Sequence, residues 1–97
     1  MNLESFIKSL EDAQPPANLT PVLKALWYDG KQEWENAHEI VDGRSDLDSH
    51  LIHAYLHRKE GDQWNASYWY TRAGASMPDY SLEEEWKKLV KKYLATA

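Results

Sequence analysis

The chain has 97 residues, no cysteine and a formal net charge of −5. That length fits one domain with one modest core, and the missing cysteines exclude disulfides, thiolate nucleophiles and cysteine-based zinc sites. The acidic balance argues against nucleic acid as a partner: the basic residues gather at Arg58-Lys59 and in the last helix with acids close by, where phosphate binding wants an uncompensated basic stripe.

The start, MNLESFIKSL, has no basic segment followed by a long apolar one, so no secretory signal is expected. No apolar run approaches the roughly 20 residues of a membrane span, and a cytoplasmic location with no membrane partner is the expectation. Residues 2–12 read as a first helix, with Leu3, Phe6, Ile7 and Leu10 on one stripe. AQPPANL breaks it, because consecutive prolines cannot continue a helix. Thr20 and Pro21 then open a second helix as cap and first residue, and Gly30 suits its end.

The third helix is expected at about 32–42, with Trp34, Ala37, His38 and Val41 sharing a face. After a GRSD turn, Asp46 caps a fourth helix at 47–60 that Gly61 ends. Asp62 caps a fifth that runs to Ala73, before a loop beginning at Gly74. Ser81 and Glu84 form a capping-box pattern for a sixth helix at 81–95, with Leu82, Trp86, Leu89 and Tyr93 as its apolar stripe. Its glutamates come first and its lysines later, which suits the helix dipole and gives Glu83–Lys87 and Glu84–Lys88 pairs. No strand pattern competes, so the expected fold is all-α: a single helical domain over residues 1–97.

The chain also repeats. Ala25 aligns with Ala54, Ala37 with Ala66 and Val41 with Tyr70, all 29 residues apart, and each copy is helix, short turn, helix. A small residue in mid-helix lets the partner helix approach closely. The second copy resembles a tetratricopeptide repeat: Ala54, Gly61, Asp62, Ala66, Tyr70, Ala73 and Pro78 fall at that family's small, turn, small, aromatic, small and proline positions. The first copy matches at Ala25, Tyr28 and Ala37, with Gln32 at the turn position. The offset is shorter than the family's period of about 34 residues, which makes this a degenerate form. The wording HAYLHRKEGD is also similar to that of small bacterial proteins with this repeat.

The resemblance implies stacked antiparallel hairpins at about 20–44 and 46–78 with an extra helix at each end, and a protein or peptide partner held on a shallow face. Leu51, Ile52 and Tyr55 stand where many such repeats carry a Lys/Asn carboxylate clamp, so that clamp is absent. Tyr55, Arg58, Tyr68 and Arg72 are the candidate partner-binding residues. Trp64 and Tyr68 form one stripe of the fifth helix and Ala66, Trp69, Tyr70 and Ala73 another; an exposed aromatic strip flanked by Arg58 and Arg72 would suit a partner helix or a homodimer.

The alternative is a metal or ligand site. His53 and His57 are four residues apart on one helix, the spacing that lets two imidazoles reach one ion, with Glu60 a further ligand and His38 approaching from the other copy. Against it, His50, His53 and His57 fall where the repeat packs against its partner helix, and such rings can fill space while bonding a Trp N–H or Tyr hydroxyl. Residues 53–57 read His-Ala-Tyr-Leu-His, so there is no HExxH glutamate. Asp29, Glu33, Glu35 and Glu39 read as surface acids, and there is no nucleophile elbow or phosphate loop. No catalytic set and no cofactor follow, and the leading reading is a non-catalytic interaction module.

Overall fold

The computed structural model describes residues 1–96, so residue 97 of the expected domain lies outside the described residues. The described residues form six helices and no strand: α1 (Leu3–Ser9), α2 (Pro21–Gly30), α3 (Trp34–Val41), α4 (Leu47–Glu60), α5 (Gln63–Arg72) and α6 (Leu82–Thr96). None of these helices is long and apolar enough to cross a membrane.

The helix starts follow from short polar side chains taking up orphan amides. Thr20 accepts from the Leu23 amide at 3.4 Å, Asp46 from Ser49 at 3.0 Å, Asp62 from Asn65 at 3.2 Å and Ser81 from Glu84 at 3.1 Å. The first helix is shorter than its expected span. It begins in a capping box of Asn2 and Ser5 and ends at Ser9, six residues ahead of Pro15. Its Ile7 is 39% exposed, so the stripe that buries is carried by Phe6.

Gly30 has a different use from the expected one. It is the last residue of α2, and the left-handed position is taken two residues later by Gln32, at φ 64°. What Gly30 provides is room: a Cβ there would stand 3.0 Å from both Leu10 Cδ atoms and from Trp86 Cζ2. At the next turn the expected glycine does serve, with Gly61 at φ 88° closing α4.

Consecutive helices pack as pairs, α2 on α3 and α4 on α5. The pairs meet through α3 and α2 against α4, and α6 lies across α2, α1 and α4. Ala25, Ala37, Ala54 and Ala66 are all fully buried, one small residue in each paired helix. The main core gathers Phe6, Leu26, Trp27, Ile52, Leu56 and Val90, and a smaller one lies between α4 and α5 around Ala54, Ala66 and Tyr70. Each large side chain sealed there contributes on the order of 1.5–3 kcal/mol. The fourth helix shows no single apolar stripe because it has neighbours all round; Ile52, Ala54, Tyr55 and Leu56 are buried in succession.

Two carboxylates are sealed with the core. Asp29, 1% exposed, accepts from the Tyr55 hydroxyl at 2.6 Å and from Lys59 Nζ at 2.8 Å. Glu85, 3% exposed, accepts from Arg58 Nη1 at 2.8 Å and from the Tyr70 hydroxyl at 2.6 Å. Asp29 is therefore no surface acid, unlike Glu33, Glu35 and Glu39, which are exposed. Burial, and then the adjoining carboxylate, pushes both tyrosine hydroxyls well above their usual range, so each remains a donor.

The alanine contacts give a direct test. Replacing Ala66, fully buried between α4 and α5, by leucine forces a branched side chain into a closed contact and should cost about 1–3 kcal/mol. Urea denaturation of Ala66→Leu measures it; an unchanged midpoint would contradict the close approach of these helices.

Candidate functional site

The candidate partner-binding residues separate into two pairs. Tyr68 is 45% exposed and stacks on Trp64, itself 76% exposed, with ring centroids 6.2 Å apart. The Arg72 guanidinium stands 5.6 Å from the Tyr68 ring and 5.5 Å from the Trp69 ring. Together with Ser67 and Thr71 these residues line a shallow groove of about 320 Å³ along the outer side of α5.

Tyr55 and Arg58 do not belong to that surface. Tyr55 is 2% exposed with its hydroxyl on Asp29, and Arg58 turns inward to Glu85 and the Tyr80 carbonyl. Neither flanks the strip, because each is the donor that a buried oxygen on another element requires; Tyr55 lines instead a separate open cavity of about 530 Å³ with Asp29, Lys59 and Trp86.

The histidines converge. His53 and His57 sit one turn apart on α4, and His38 arrives from α3 with its Nε2 3.1 Å from His53 Nε2. One ring nitrogen from each of the three lies within 4.8 Å of the others. His53 is 3% exposed and His57 9%, with His38 half-buried at the rim. His57 Nδ1–H donates to Glu60 Oε1 at 2.5 Å, since an ionised carboxylate only accepts. In the neutral ring this leaves the Nε2 lone pair of His57 for the cluster.

Two indoles hold the rings in place. Trp34 stacks on His38 at 4.8 Å with 10° between the planes, and Trp69 stacks on His53 at 4.1 Å with 13°. The expected bonds from Trp N–H groups to histidine are not formed. Trp34 Nε1 donates to the Leu56 carbonyl and Trp86 Nε1 to the Leu26 carbonyl, so those indoles staple helices while their faces or edges pack. His50 stays apart from the trio, against Trp69 at 5.1 Å. Glu60 joins a second group with His57 and Asp62 at the α4–α5 turn, on the exposed side.

The helical spacing of His53 and His57 was legible in the sequence. The stack of Trp34 on His38 is also local, four residues apart on α3, and that of Trp69 on His53 lies within the α4–α5 pair; what the sequence does not show is that the two pairs bring His38 onto His53.

Burial pushes the His53 imidazole down from near 6.5 to about 4, and the rings of His38 and His57 press the same way. His50 adds a smaller like-charge effect and Asp42 opposes it; Glu60 faces the cluster only through His57. The folded state therefore binds fewer protons at this ring than the unfolded state does. Its stabilising contribution is complete above about 6.5 and is lost as pH falls toward about 4. Thermal melts in chelator should fall across that window, less steeply in His53→Gln. Equal slopes in the two proteins would contradict the assignment.

No family model matches this chain, and no curated protein and no solved structure matches it either.

Proposed function

We propose that this chain is a non-catalytic interaction module, built as two tetratricopeptide-like hairpins over residues 20–44 and 46–78 with a helix at each end. It takes a protein or peptide partner on the outer face of α5. The observation that carries this reading is the stacked pair Trp64 and Tyr68, left in solvent at 76% and 45% exposure in a chain whose other aromatics are largely used in packing. Water-facing aromatics beside an arginine are the composition of an interface centre. The 29-residue register supports the repeat reading, since Ala25 and Ala54 are sealed alike, as are Ala37 and Ala66.

A shallow groove suits docking better than chemistry. It holds hydroxyls from Ser67 and Thr71 and one cation from Arg72, with no acid or base placed to move a proton. A second copy of the chain is the symmetric form of the same partner, and it would use the same strip.

The test is the triple variant Trp64→Ala, Tyr68→Ala, Arg72→Ala. These side chains are exposed, so each change should move stability by no more than about 0.5 kcal/mol. Wild type and variant are immobilised in parallel and the proteins retained from host extract are quantified by mass spectrometry. A species held by wild type and lost by the variant is expected, or concentration-dependent dimerisation in sedimentation that the variant loses. Identical retention, together with identical monomeric sedimentation, would refute the reading.

A further inference from the structure

The histidine cluster goes beyond a docking role. Where α3 packs on α4, the seam is apolar at Ala37 and Val41 and then carries three imidazoles side by side. A buried neutral imidazole has one donor and one acceptor to satisfy. Here two Nε2 atoms face one another at 3.1 Å, and the third ring is turned by a carboxylate that occupies its other nitrogen.

We propose that His38, His53 and His57 form a transition-metal site that takes a divalent cation of borderline softness, zinc foremost, through three imidazole nitrogens.

The distances fit. Tetrahedral zinc with nitrogens at about 2.0–2.1 Å keeps neighbouring ligand atoms about 3.3–3.4 Å apart. The His38 and His53 nitrogens already stand at 3.1 Å. The third lies within 4.8 Å of them, and a modest side-chain rotation of His57 closes the remaining gap. The Glu60 carboxylate on His57 Nδ1 is the outer-sphere arrangement that fixes which ring nitrogen is free and raises its basicity. Stacking against Trp34 and Trp69 limits rotation of the other two rings.

The proton balance is simple. In the cation-free protein one of the facing Nε2 atoms carries the hydrogen that the other accepts. On binding, that ring moves its proton to Nδ1 and all three nitrogens present lone pairs, so the ligand set is neutral. Without a thiolate or a directly bound carboxylate the site keeps the +2 charge of the ion, and a water completes the tetrahedron on the side of His38, the most exposed of the three. All-imidazole donors suit zinc, copper and nickel over magnesium or calcium. The ion joins α3 to α4 and so ties the first helix pair to the second.

The experiment uses the full chain. Isothermal titration with zinc and visible absorption with cobalt(II), which colours strongly when tetrahedral, are measured on wild type, His38→Gln, His50→Gln and Glu60→Gln. His38 is chosen over buried His53 because its side chain reaches the rim, and circular dichroism in chelator checks that each variant folds. The expected result is one ion per chain, a tetrahedral cobalt spectrum and a melting temperature raised by zinc. His50→Gln keeps all three, His38→Gln loses them, and Glu60→Gln binds about 10- to 100-fold more weakly. Absence of binding by wild type would overturn the proposal. Binding that survives His38→Gln but not Glu60→Gln would also overturn it, by moving the ion to His57, Glu60 and Asp62 at the exposed turn.

Discussion

A carboxylate closed off from water needs donors on its oxygens, and Asp29 and Glu85 both find them on one stretch of α4. Tyr55 and Lys59 serve Asp29, and Arg58 serves Glu85 together with Tyr70 from α5. Arg58 also donates to the Tyr80 carbonyl ahead of α6. Three side chains within five residues thus fix where α2 and α6 sit on the central helix, and Tyr70 ties α5 to α6. Removing one member of such a buried pair leaves an uncompensated charge and costs about 3–5 kcal/mol, well above the value of exposed pairs such as Glu83–Lys87 at 3.2 Å. These bonds specify position, since apolar side chains of similar volume would fill the space but accept several registers.

The placement of the histidines follows from that constraint. At 100° per residue, Tyr55, Arg58 and Lys59 point to one side of α4 and His50, His53 and His57 to the other. Once the acids hold the first side against α2 and α6, the second side must face α3 and α5. Those helices present His38 with Trp34, and Trp69, to the three rings. The outer side of α5 is what remains in solvent, and there Trp64, Tyr68 and Arg72 stand clear of the core. Core, imidazole cluster and exposed strip are thus three consequences of one helix held in one orientation.

Local chemistry was readable from the sequence. Thr20, Asp46, Asp62 and Ser81 cap where short polar side chains precede apolar periodicity, and an all-helical chain follows from that periodicity. Asn2 escaped notice because its reciprocal partner is Ser5, where the familiar pattern carries Glu or Gln. Contacts between distant segments were harder. Asp29 falls three residues after Leu26 and four after Ala25, on the buried stripe of α2, but its donors Tyr55 and Lys59 lie 26 and 30 residues further along the chain. Glu85 hides in a run of three glutamates; its one local sign is that it falls three residues after Leu82 and four before Leu89, on the apolar stripe of α6. Tyr55 and Arg58 looked like members of the same surface as Tyr68 and Arg72 for the same reason, since their partners lie 26 and 27 residues away in the chain. Short turns after α2 and α4 make neighbouring helices pack on one another, while the approach of His38 to His53 depends on how the pairs meet.

The central claim is that these buried acid–tyrosine–cation groups set the orientation of α4. A double-mutant cycle between Tyr55 on α4 and Asp29 on α2, whose oxygens lie 2.6 Å apart, tests it most directly. Unfolding free energies are measured for wild type, Tyr55→Phe, Asp29→Asn and the double variant. The account requires a coupling energy above about 1 kcal/mol, as for residues sharing one buried network. Effects that simply add, within about 0.5 kcal/mol, would show that the two side chains are neighbours without being partners and would contradict the account.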